Sequence, residues 1–119
     1  MVHTGMGIPL AAPSLVGPRA EQFPELPIVL AHMGFVIAAG EAVLLAKHYP
    51  NLYVETSWSM VGDVAWAIDA LGAERVLFGS DTAENLPVEL AKYGSLELDA
   101  LRRALVMGGN ALRVFKIAR

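Results

Sequence analysis

Three apolar runs that read as strands each end on polar residues, at nearly equal spacing. Residues 27–31 lead into His32, residues 51–54 into Glu55, Thr56 and Ser57, and residues 75–80 into Asp81. The steps from His32 to Thr56 and from Thr56 to Asp81 are 24 and 25 residues, the length of one strand–loop–helix–loop unit. His3 stands behind a shorter apolar stub, Met1-Val2, which counts as a fourth strand. Reactive side chains at the carboxyl ends of successive parallel strands are how a (β/α) barrel builds its active site. Four such units make half of the eight that close a barrel.

The segments between the runs fit helices. A glycine- and proline-rich loop over 5–18 precedes a short helix ending near Phe23-Pro24. A helix over 36–48 presents Val36, Ala39, Val43, Leu44 and Ala46 on one face, and Tyr49-Pro50-Asn51 stops it. A third covers 60–71, with Asp63 in its first turn and Gly72 at its end. After a loop containing Pro87, the pattern predicts a helix over 96–107 with Ser95 as N-cap and Leu98, Leu101, Ala104 and Leu105 on one face. Gly108-Gly109 breaks it, and Asn110 caps a last helix over 111–117. The strands are continuously apolar rather than alternating, as in a parallel sheet covered on both faces.

With 55% hydrophobic and 18% charged residues in 119, the chain is apolar for a free-standing domain. Part of its surface therefore calls for a partner. A net charge of −3 gives no reason to expect nucleic acid or an anionic membrane. The absence of cysteine excludes disulfides, thiolate metal sites and cysteine nucleophiles, and fits a cytoplasmic protein. No apolar run is long enough to span a bilayer.

Asp81, after the small pair Gly79-Ser80, suits a metal ligand or a general base, and equally a loop aspartate binding backbone amides. His32 suits a cation ligand or proton carrier, against the alternative of a histidine satisfied by a backbone carbonyl. His3 has the same local form. His48, beside Lys47 at a helix end, reads as a surface residue. Alternation sends Glu55 and Ser57 one way and Thr56 the other. Trp58 either walls a pocket or joins the core. No nucleophile elbow, dinucleotide fingerprint or Walker motif is present, and adjacency of Ser80 and Asp81 disfavours a serine triad with His32.

Taken in order, His3-Thr4-Gly5, the run from Phe23-Pro24 to His32-Met33-Gly34, Asn51 through Ser57, Arg75 through Asp81, and Gly109 through Phe115 resemble the second half of the amidohydrolase-related proteins. That is the metal-dependent branch that includes aminocarboxymuconate semialdehyde decarboxylase and related aromatic-acid decarboxylases. The resemblance implies one partial barrel domain over 1–119, the C-terminal half of a (β/α)8 TIM barrel, strands five to eight. It implies one divalent metal ion, zinc by preference. His3 and Asp81 match metal ligands, and His32 and Asp81 match the groups that activate water or accept a proton. Hydrolysis of a small-molecule substrate is the activity implied, with decarboxylation of a small aromatic or unsaturated acid, or a non-catalytic half-barrel that self-associates, as alternatives. The family's His-x-His ligand pair has no counterpart, since His3, His32 and His48 are the three histidines and no two are two residues apart. The expected partner is therefore an N-terminal half-barrel or a second copy of the chain.

Overall fold

The apolar runs are the strands of one parallel sheet. A computed structural model describes residues 1–5 and 8–118, so Met6 and Gly7 of the expected 5–18 loop lie outside the described residues. The strands are β1 (Val2–His3), β2 (Ile28–Ala31), β3 (Leu52–Glu55) and β4 (Val76–Leu77), hydrogen-bonded in that order and all parallel. The helices are α1 (Gly17–Gln22), α2 (Ala39–His48), α3 (Val61–Leu71), α4 (Leu86–Gly94), α5 (Ala100–Ala104) and α6 (Asn110–Val114). No helix among the described residues is long and apolar enough to cross a membrane.

Register decides what each face carries. Leu30 pairs with Val54, Val54 with Val76, and Ile28 with Leu52, which puts these side chains on one face. They pack on Ala42, Val43 and Ala46 of α2, on Val64, Ala67, Ile68 and Leu71 of α3, and on Tyr93 of α4. The opposite face carries Val29, Tyr53 and Leu77, which meet Ala111 and Val114 of α6. Both faces of β2 are closed, Val29 and Leu30 each being fully buried, as the continuous apolar pattern predicts.

Side chains at the amino ends of the strands lock the layers. Arg75 donates to Leu71 O, Ala46 O and Tyr49 O, so one guanidinium satisfies carbonyls at the ends of both α2 and α3. The Asn51 amide reaches Ala20 O, Phe23 O and Leu26 O and fastens the turn before β2 to the turn before β3.

The second half of the chain departs from the sequence reading in five places. The stretch around Pro87 is a helix, α4, with the proline in its first turn, where its missing N–H costs nothing. Ser95 closes α4 at its C-terminus, its hydroxyl donating to Lys92 O, while the N-cap of α5 is Asp99, whose side chain accepts from Arg102 N. Of the expected face, Leu98 and Leu105 pack on the core, joined by Leu96 and Met107, while Leu101 and Ala104 are exposed. Residues Leu105–Gly109 form one widened π-type turn that kinks at Gly108 rather than ending the helix. Asn110 is not a cap: it is fully buried and donates to Ala73 O and Val76 O. Earlier, the helix expected over 36–48 begins at Ala39, with Val36 and Leu44 exposed and Ala42 taking their place in the core.

Candidate functional site

The carboxyl edge of the sheet collects the polar residues. His3 ends β1, His32 follows β2, Glu55 ends β3, and Asp81 follows β4 by four residues. His32, Trp58 and Asp81 hold positive φ values of 64°, 63° and 62°, and the run from Met33 through Val36 is left-handed as well. For residues other than glycine that conformation is costly, of order 1–3 kcal/mol each, and such positions gather at functional sites. The strain shows that the strand ends are held by their surroundings rather than by local preference.

Those surroundings are specific. Thr4, fully buried, donates its hydroxyl to Ala31 O and accepts from Gly34 N, which sews the end of β1 to the turn after β2. Gly5 lies so close to Gly34 and Phe35 that a Cβ there would lie 2.6 Å from the Gly34 carbonyl carbon. The Glu55 carboxylate is buried and accepts three hydrogen bonds: His32 N–H (3.0 Å) and Ser57 Oγ–H (2.9 Å) on Oε2, and Ser57 N–H (2.7 Å) on Oε1. Ser57 Oγ lies 2.8 Å from His32 Nδ1. Glu55 fits because Gly79, two residues past the end of β4, has no side chain; a Cβ at that position would stand 2.6 Å from Glu55 Cδ.

His3 and His32 touch edge to face, with ring centroids 4.9 Å apart. The aromatic contacts continue from His32 to Phe35 (6.0 Å) and from Phe35 to Trp58 (6.2 Å). Trp58 Nε1–H then donates to Asp81 Oδ2 at 3.0 Å. The structure thus brings His3 and His32 into contact and fastens Asp81 to Trp58. It gathers no cluster of three or more histidine, aspartate or glutamate side chains fit for a metal ion among the described residues. Two imidazoles and a carboxylate along one edge are donor types suited to zinc or manganese. Trp58 is a partly exposed side chain of this edge and not a core residue.

Thr56 points away, as alternation predicts, and shares a 2.6 Å hydrogen bond with the buried Tyr93 hydroxyl. Burial pushes the Tyr93 phenol well above its ordinary range, so it stays neutral. His48 is exposed at the end of α2.

Two parts of this edge were not singled out from the sequence. The first is the joint action of Glu55, Ser57 and Gly79, although the alternation of Glu55 and Ser57 already put them on one side. The second is Glu89, fully buried in α4, which accepts Trp58 N–H and the Asn85 amide on Oε1 and pairs with Lys92 at 2.6 Å. Lys92 in turn donates to Ser59 O. The sequence signal is an i, i+3 opposite-charge pair, masked by Pro87, which marks the same stretch as a loop.

Comparisons with known proteins match this fold. Among solved structures, an uncharacterized TIM-barrel protein from Bordetella bronchiseptica superposes with a TM-score of 0.78 at 22% identity, over 96% of this chain and 44% of that one. A dihydroxybenzoic acid decarboxylase from a Polaromonas species, with bound manganese and the inhibitor 2-nitroresorcinol, gives 0.68 at 23% identity over 92% and 40%. An amidohydrolase from Burkholderia multivorans with bound zinc gives 0.65 at 18% identity over 89% and 49%. The chain spans less than half the length of each of these proteins, as four βα units of an eight-unit barrel do. No curated protein sequence matches it. The amidohydrolase family model matches residues 1–117, and the chain belongs to that family.

Proposed function

We propose that this chain carries the C-terminal share of a metal-dependent hydrolase site. His3 and Asp81 are the ligands it contributes to one divalent ion, and His32 is its proton-transfer group. The observation that carries the reading is the contact of the His3 and His32 rings at the same sheet edge where Trp58 holds the Asp81 carboxylate. The ion, zinc or manganese on the precedent of the similar proteins, would act as a Lewis acid toward water or a substrate carbonyl.

The chain's own residues account for the remaining tasks. His32 presents an imidazole at a fixed angle, braced by Phe35 and by the Glu55–Ser57 pair. Trp58 keeps the Asp81 carboxylate from swinging freely into solvent. Phe35 and Trp58 form an apolar wall on which a flat or unsaturated substrate can rest. Decarboxylation of a small aromatic acid is the second reading, favoured by this aromatic wall and by the decarboxylases among the similar structures. The remaining ligands would come from a partner half-barrel, a small-molecule substrate then binding between the two halves.

The test is titration of the protein with zinc and with manganese, with His3→Ala and Asp81→Ala alongside. Activity of the metal-loaded protein is followed as hydrolysis of an activated ester and as carbon dioxide release from a dihydroxybenzoate. The reading expects metal binding that weakens at least tenfold in either variant. Wild type and variants with the same metal affinity would overturn the ligand assignment.

A further inference from the structure

We infer that Glu55 and Ser57 are positioning residues that fix the tautomer of His32, with the proton on Nδ1 and the free lone pair on Nε2. The inference follows from which atoms can donate. Each oxygen of the Glu55 carboxylate faces a backbone N–H, His32 N on Oε2 and Ser57 N on Oε1, and a backbone N–H can only donate. The third contact, Ser57 Oγ to Oε2 at 2.9 Å, therefore takes its proton from the serine hydroxyl. That hydroxyl has one proton, and it is committed to Glu55. Toward His32 Nδ1, 2.8 Å away, Ser57 Oγ has only lone pairs to offer, so Nδ1 carries the proton.

Burial and charge act in the same direction. Ser57 is fully buried and Glu55 nearly so, which keeps their hydrogen bond, and the serine proton in it, shielded from solvent. Nδ1 also lies 3.8 Å from Glu55 Oε2, where the negative field favours an N–H over a lone pair. One carboxylate thus holds the His32 main chain directly and its ring through Ser57. This is the outer-shell arrangement that orients ligating or catalytic imidazoles, and it reverses the tautomer that free imidazole side chains favour. Nε2 makes no hydrogen bond among the described residues, which leaves it as the ring atom able to accept a proton or meet a cation. What Nε2 acts on rests on the proposed function; the tautomer itself does not.

The test is long-range proton–nitrogen correlation NMR on histidine-labelled, metal-free protein above neutral pH. The inference expects a pyrrole-type nitrogen shift at His32 Nδ1 and a pyridine-type shift at Nε2, with exposed His48 as the unconstrained reference. Ser57→Ala should move His32 toward the His48 pattern, and Ser57→Thr, which keeps the hydroxyl, should restore the wild-type one. A pyridine-type Nδ1 in the wild type overturns the inference, and so does a His32 pattern unchanged in a folded Ser57→Ala variant. The wild-type spectrum alone decides if the variant fails to fold. Because no metal is present, the result is independent of whether the metal titration succeeds.

Discussion

Gly79→Ala is a one-carbon change whose consequence can be worked from the structure. The new Cβ would lie 2.6 Å from Glu55 Cδ and 3.0 Å from Glu55 Cγ, where carbon atoms prefer about 3.5–4.0 Å. The carboxylate must retreat by roughly 1 Å, which carries hydrogen bonds of 2.7–3.0 Å past the length at which they count. Overpacking costs about 1–3 kcal/mol, and each charge-assisted hydrogen bond lost costs about 1.5–3 kcal/mol. Overpacking and the loss of even one of these bonds together come to about 3 kcal/mol, so a loss of at least that size is expected, a fall in melting temperature of roughly 10 °C or more for a domain of this size. Gly62→Ala is the matched control: an added Cβ there has no heavy atom within 4 Å, and alanine should stabilise α3 by about 0.5–1 kcal/mol. Thermal and urea unfolding of both variants, with the His32 amide resonance as local probe, reads the result. If Gly79→Ala melts with the wild type and leaves the His32 amide unmoved, the packing of Glu55 against Gly79 is refuted.

Three further outcomes follow from the same contacts. Asn110→Ala should cost about 2–3 kcal/mol in urea unfolding, since it strands the Ala73 and Val76 carbonyls in a buried site. Glu89→Gln should cost about 3–5 kcal/mol by leaving Lys92 without its charge partner in a largely buried position, and should displace the Trp58 amide resonance that Glu89 holds. Trp58→Phe should change stability by less than about 0.5 kcal/mol, yet shift the Asp81 carboxyl carbon resonance, because the indole N–H on Oδ2 is gone.

The half of the fold built from strands was legible because parallel strands closed on both faces write themselves as unbroken apolar runs, and Val29-Leu30 and Val76-Leu77 are such runs. Helices α4 and α5 were harder. Pro87 reads as a loop marker until its place in a first turn is known, and the interval from Ser95 to Asp99 holds two residues of capping chemistry, only one of which begins a helix. Asn110 has the residue type of a cap, but its amide answers to carbonyls 34 and 37 residues away, which no local pattern records. At the site, the positions of His3, His32 and Asp81 at strand ends came from spacing. The hold of Glu55 on His32 depends on register between β2 and β3 and on the missing Cβ of Gly79 just past the end of β4. Trp58 meeting Asp81 likewise depends on two loops folding toward each other.

The most direct measurement of the metal-site assignment is manganese titration followed by paramagnetic broadening of side-chain resonances. The predicted result is early loss of the His3 and His32 imidazole and Asp81 carboxyl signals while His48 stays sharp. Broadening of His48 first, or of all three histidines together, would contradict the placement of a metal at the carboxyl edge of the sheet.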